Sequence, residues 1–250
     1  MSSADAVKVL ELGLGVIQIT MQDREHKNAF SKELITGLFA AFERIRSDAS
    51  CRVALLTGYD SYFCSGGTQE ALLMLHAGHA RFSDSNLYRL PLDCEIPVVA
   101  AMQGHGIGGG FVFGLFADCV VLSRESVYTT NFMRYGFTPG MGATYIVPKK
   151  LGIGLAAEML LSARSYHGAD LEKRGIPYPV LPRAGVLECA RNLARELAEK
   201  PRASLVTLKR HLMSDIRAQL PAVIEREVAM HDATFHLPEV KERIQHAFGK

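Results

Sequence analysis

Three short segments, RVALLTG (52–58), PVVAAM (97–102) and DCVVLS (118–123), carry consecutive rather than alternating apolar residues. Strands of this kind are buried on both faces, as in a mostly parallel sheet covered by helices. Helical patterns alternate with them. Ser31 is a helix N-cap ahead of Lys32–Ser47, where Leu34, Leu38, Phe42 and Ile45 keep one stripe. Leu72–Ala80 and Phe111–Phe116 also read as helical, which places the chain in the α/β class. Val7–Leu12 and Leu14–Met21 read as two strands joined at Gly13, a hairpin. Residues 59–68 and 104–110 read as loops, and 81–92 is ambiguous. From Gly152 onward the pattern is almost wholly helical, over 152–162, 185–199, 202–214, 217–234 and 238–247. This predicts an α/β core over 1–180 and a helical C-terminal region over 181–250.

The 250 residues, 48% of them hydrophobic, suffice for a core without disulfides or structural metal. With 28 basic and 26 acidic residues the net charge is +2, which argues against a nucleic-acid binder. The apolar stretch around 111–121 is broken by Asp118 and glycines and is too short to span a bilayer. Met1–Gly13 lacks the basic flank and apolar run of a secretory signal. Cysteines stand at 51, 64, 94, 119 and 189, an odd number without a CxxC pair. That argues against a disulfide framework or zinc site and makes a reducing cytoplasm the expectation. His76 and His79 have no third ligand in the pattern, so no metal is expected.

The stretch Gly104-His105-Gly106-Ile107-Gly108-Gly109-Gly110 contains GxGxxG at 104, 106 and 109, with Glu125 following 125 − 104 = 21 residues on. Those are the terms of a dinucleotide fingerprint. A tight turn without ligand fits equally. A third possibility is a site for developing negative charge, such as a thioester enolate, because a helix start beside glycines presents free backbone N–H groups. An oxyanion hole needs a second donor. A second glycine loop, Phe63-Cys64-Ser65-Gly66-Gly67-Thr68, follows the first of the apolar strands.

The order Asn28-Ala29-Phe30-Ser31, then FCSGGT, GHGIGGG and GFTPGMG (136–142), resembles the crotonase (enoyl-CoA hydratase) superfamily over nearly the whole chain. The resemblance implies a spiral of ββα units with a helical C-terminal region, assembled as a trimer or a dimer of trimers. It also implies that the N–H groups of Gly67 and Gly109 form the oxyanion hole.

Typical hydratases of this family add water with two glutamates as acid and base. Here Val112 and Phe132 occupy those positions. An apolar side chain carries no proton, so hydration by the usual route is not expected, and neither is thioester hydrolysis. Enolate formation by loss of CO2 needs no strong base. MQDREHKNAFS, LTGYDSYFCSGGTQE, LDCEIPVVAAMQGHGIGGG and RYGFTPGMGATYIVPKKLG are similar to the decarboxylating crotonase homologues of polyketide β-branching. That likeness implies a 3-methylglutaconyl thioester on an acyl carrier protein, losing CO2 to give a 3-methylcrotonyl group or its β,γ isomer. The carrier's phosphopantetheine would be the only prosthetic group involved.

Within this resemblance His231 is the proton donor, as a histidine titrates near neutrality and is acidic when charged. Arg81 is the carboxylate binder in a stretch where the relatives carry lysine. A guanidinium holds a carboxylate by two hydrogen bonds but gives up a proton poorly. His105, Tyr88 and Tyr135, with Val112 and Phe132, are the candidate pocket lining; packed core positions are the alternative for the first three. Cys64 and Ser65 adjoin the first donor without a nucleophile elbow or paired base. Lys149, Lys150, Lys209 and Arg210 are candidates for meeting a pantetheine phosphate or an acidic carrier protein, or else form a solvated face. Double-bond isomerisation and non-catalytic carrier binding are the competing functions.

Overall fold

The structure, a computed structural model, describes residues 6–248. Its ten strands are β1 Val7–Glu11, β2 Val16–Met21, β3 Val53–Thr57, β4 Tyr62–Cys64, β5 Val98–Met102, β6 His105–Ile107, β7 Cys119–Ser123, β8 Val127–Thr129, β9 Ser165–His167 and β10 Val180–Leu181. They form a six-stranded sheet, β1-β2-β3-β5-β7-β10, and a four-stranded sheet, β4-β6-β8-β9. β1 pairs antiparallel with β2 and β9 antiparallel with β8, while every other pairing is parallel.

One unit recurs along the chain. β3 feeds β4 and the helix Gln69–His76. β5 feeds β6 and the helix Gly109–Leu115. β7 feeds β8 and, after a 3-10 turn, the helix Ala143–Leu151. Each unit gives one long strand to the large sheet and one short strand to the small sheet. This is the expected ββα spiral.

The apolar runs are buried on both faces, as their pattern requires. Val53, Leu55, Val99, Ala101 and Val121 face one way and meet Val186, Ala190, Ala194 and Ala198 of the helix Arg183–Ala198. Small residues one turn apart let that helix lie close to the sheet. The alternate residues, including Leu56, Val98, Ala100, Met102 and Leu122, face the main core. Helix Lys32–Ser47 starts at the predicted cap, with the Ser31 hydroxyl accepting the Leu34 N–H at 3.1 Å.

Two segments expected as loops hold strands. β4 lies inside 59–68 and β6 inside 104–110. Three residues show no period, and the glycine-rich His105-Gly106-Ile107 becomes a strand only because β4 and β8 flank it. β8, β9, β10 and the helices Ala143–Leu151 and Gly168–Lys173 were likewise not legible. Position 180 falls on β10, and the next helix, Arg183–Ala198, covers the sheet. After residue 198 comes a layer of helices that joins the main core through Leu220, Phe235, Val240 and Ile244.

That layer is fastened by a buried cation. Lys209 Nζ lies 2.7 Å from Asp118 Oδ2 and donates to the carbonyls of Pro91 at 2.8 Å and Ile96 at 3.0 Å. Lys150 Nζ donates to Ala117 O at 2.7 Å, and burial lowers its pKa. The expected phosphate-facing role is therefore corrected for Lys209 and Lys150, whose ammonium groups are engaged inside the protein. Lys149 and Arg210 are exposed.

Candidate active site

The first glycine loop is held by Asn28, which is fully buried with a left-handed backbone, φ +54°. Its amide Nδ2 donates to Met21 O and Phe63 O, each at 3.0 Å, and its Oδ1 accepts the Asp23 N–H at 2.8 Å. The Asn28 carbonyl accepts from Ser65 N at 3.2 Å and Cys64 Sγ at 3.0 Å, and Phe30 N–H donates to Gly66 O at 2.7 Å. The loop is thus tied at every residue from Phe63 to Gly66. Burial pushes the Cys64 thiol up to about 12, so it is no nucleophile at neutral pH.

The two glycine loops touch. Gly66 has φ +82°, and a Cβ there would stand 2.7 Å from Ile107 O and 3.3 Å from Gly109 N. A Cβ on Gly110 would collide with the Cys64 carbonyl. Among the described residues, neither the Gly67 N–H nor the Gly109 N–H meets a protein acceptor. Two backbone donors on touching loops are therefore without a protein acceptor.

The turn 138–142 joins these donors to the C-terminal helices. Met141, with φ +62°, lays its thioether over Gly109, where a Cβ would stand 2.6 Å from Sδ. Gly140 lies against His231, where a Cβ would stand 2.9 Å from Nε2. His231 projects from the helix Ser214–Thr234 and is 8% exposed. Its Nε2 lies 2.7 Å from Thr138 O. A carbonyl only accepts, so Nε2 carries a proton and Nδ1 is the titrating atom. The ring is boxed by Phe82 at 4.8 Å, Phe235 at 5.7 Å and Phe137 at 6.4 Å between centroids. Burial lowers its pKa against the opposing effects of Thr138 O and Asp232. Burial thus makes this imidazole harder to charge than an exposed histidine.

Arg81 sits one residue before Phe82 and so at the rim of the same box. Its backbone N–H donates to Asp84 Oδ2 at 2.7 Å, its side chain is exposed, and no ion pair holds the guanidinium among the described residues. Phe132 is buried 6.2 Å from the Phe137 ring, and Val112 is fully buried in the helix Gly109–Leu115. Tyr135 stacks on Phe137 at 5.7 Å and on Phe248 at 6.2 Å.

The remaining candidates are held by internal contacts. Tyr88 is buried against Phe116, with centroids 5.9 Å apart. His105 accepts the Val127 N–H on Nδ1 at 2.9 Å and packs its ring on Tyr62, fastening β6 to β8 and β4. Glu125, the acidic position of the dinucleotide pattern, accepts from Ser123 Oγ at 2.9 Å and Arg183 N at 2.8 Å. His105 Nδ1 and Glu125 Oε2 thus serve internal bonds.

Sequence reasoning missed Glu227. It is 1% exposed and sits one helical turn before His231. Its carboxylate accepts from Gly142 N at 2.7 Å, Thr144 N at 2.9 Å and Thr144 Oγ1 at 2.6 Å. A signal existed: Leu220, Val223, Glu227 and His231 share the buried face of this helix, and a lone acid in such a stripe needs a partner.

A two-sheet spiral whose successive turns bring two glycine loops into contact defines a crotonase-type protein. The family model described as enoyl-CoA hydratase/isomerase matches residues 11–248, and the chain belongs to this family. Among curated relatives, it is 65% identical over 243 residues to the bacillaene synthase decarboxylase PksI of Bacillus subtilis (strain 168), covering 97% of this chain and 98% of that protein. A solved structure from a dehydratase/decarboxylase enzyme couple involved in polyketide beta-branching superposes with a TM-score of 0.97 at 65% identity, covering 98% of this chain and 100% of that one. The ECH2 decarboxylase domain of CurF from Lyngbya majuscula gives a TM-score of 0.94 at 46% identity, covering 98% and 100%.

Proposed function

We propose that this protein is a carboxy-lyase of polyketide β-branching, acting on a 3-methylglutaconyl thioester carried by the phosphopantetheine of an acyl carrier protein. The observation that carries this is a pair of backbone donors without protein acceptors combined with Val112 and Phe132 at the acid and base positions. Such a site stabilises an enolate and lacks the means to activate water. The likeness to two decarboxylases, and to a structure from a dehydratase/decarboxylase couple involved in polyketide beta-branching, supports the same reading.

Arg81 receives the substrate carboxylate at the rim. The bond from the γ carbon to the carboxylate breaks and CO2 leaves. The electron pair moves through the double bond into the thioester carbonyl, whose oxygen takes both N–H groups, Gly67 and Gly109. In other enzymes, loss of one such donor costs about 2.7–4 kcal/mol. His231 then returns one proton to the dienolate. Burial works against charging its imidazole in the empty site, and the anionic substrate works in favour of it, because a nearby negative charge favours imidazolium. Protonation at the α carbon gives the β,γ isomer, and at the γ carbon the 3-methylcrotonyl group. The thioester is itself the electron sink, so no further cofactor or metal is required. The protein acts in the cytoplasm as a homo-oligomer, a trimer, without nucleic acid or membrane. No helix among the described residues is long and apolar enough to cross a membrane.

The test is intact-protein mass spectrometry of 3-methylglutaconyl-loaded acyl carrier protein after incubation with the enzyme. Loss of one CO2 from the carrier is expected. Turnover of an enoyl thioester without mass change would make the protein an isomerase instead. Carrier binding without any turnover would make it a non-catalytic partner.

A further inference from the structure

We infer that Glu227 is a positioning residue that sets both the proton donor and the oxyanion donors. Its carboxylate holds the start of the helix Ala143–Leu151, through Gly142 N and Thr144 N, to the helix that carries His231. Glu227 and His231 are four residues apart, so they share one helix face, one turn above the other.

The turn 138–142 is therefore gripped at two points by the same helix. His231 Nε2 holds Thr138 O at 2.7 Å at one end, and Glu227 holds Gly142 N at 2.7 Å at the other. Met141 lies between these grips with a left-handed backbone and rests on Gly109. A left-handed methionine is strained unless its surroundings hold it. The two grips hold it, and the strained residue is the one that presses on the second oxyanion donor. The carboxylate has no cationic partner among the described residues, only N–H and O–H donors. Burial of such a group costs stability, so helix capping alone is a weak reason for its presence.

This inference rests on the decarboxylase reading for its kinetic consequence but not for its structural one. The experiment compares wild type, Glu227→Gln and Thr144→Val. Glu227→Gln keeps the shape and replaces one acceptor oxygen by an NH2 group that faces N–H donors. Thr144→Val keeps the carboxylate and removes one of its three bonds. The kinetic readout is kcat and KM on the loaded carrier protein. The second readout is the imidazole spectrum of His231 by NMR in histidine-labelled protein, assigned by His231→Gln.

Glu227→Gln is expected to lower kcat by about 10- to 100-fold with KM changed less than about threefold, the cost of a displaced catalytic group. Its His231 Nε2–H signal should shift or exchange faster. Thr144→Val should move both readouts in the same direction by less. A folded Glu227→Gln protein with wild-type kcat, or with an unchanged His231 signal, overturns the inference. If Glu227→Gln does not fold, Thr144→Val decides alone, and an unchanged His231 signal there also overturns it. If wild type fails to decarboxylate, the spectroscopic comparison still decides the positioning role while the functional reading fails separately.

Discussion

The floor and the roof of the site are built by different means. The floor is backbone: residues 63–67 and 106–110, fixed by Asn28, by β-ladders and by glycines that leave no room for a side chain. The roof is side chain: Arg81, Phe82, Phe137, His231 and Phe235 from three separate segments, meeting through rings and one carbonyl. A floor of N–H groups has one geometry because the sheets set it. A roof of side chains can be altered residue by residue while the fold survives. The division suits a superfamily with one electrophilic chemistry and many outcomes, since the enolate site is shared and the proton-handling groups are replaceable.

That contrast can be broken at several points. The largest effect is expected at the floor. In Gly110→Ala the new methyl meets the Cys64 carbonyl and stands 2.8 Å from Cys64 Cβ. Backbone cannot yield as a side chain does, so we expect a loss of about 3 kcal/mol or more, read by urea denaturation. A near-wild-type midpoint would show that the two loops are less tightly joined than the contact implies.

His231→Ala should do the reverse. It removes a roof group, so decarboxylation should fall by about 100-fold or more while the protein stays folded. Full activity would remove His231 from the mechanism and leave water as the proton source. Arg81→Ala should raise KM by about 10-fold with a smaller change in kcat, because the guanidinium is exposed and its interaction is screened. Arg81→Lys should recover most of that loss if charge alone is needed, and little of it if the two-bond fork is needed.

The smallest effect is on stability against pH. His231 and His105 both have pKa values lowered by burial below the ordinary 6.5. The unfolded chain therefore binds their protons more readily, so stability is lost as pH falls from above 6.5 through the folded values. Melting temperatures on either side of pH 6.5 should show this slope, and His231→Gln should flatten part of it. Glu227 acts in the opposite sense at lower pH, as burial raises its pKa above the ordinary 4.5.

The parts legible in sequence were those with local causes. Val53–Thr57, Val98–Met102 and Cys119–Ser123 show two-faced burial in their composition, and Ser31 is a cap by its own hydroxyl. The glycine loops were legible because glycine is needed wherever two backbones touch. The apolar character of Val112 and Phe132 was legible too, since neither side chain carries a proton under any fold. Tertiary structure decided the rest. β4 and β6 exist only as partners of each other and of β8. Lys209 became a buried fastener because Asp118 and two carbonyls face it across more than ninety residues of chain. His231 is harder to charge than an exposed histidine because burial among Phe82, Phe137 and Phe235 desolvates its ring, and no local pattern encodes desolvation. Glu227 was visible as an odd residue on an apolar stripe, but only the packing of two helices shows which donors it holds.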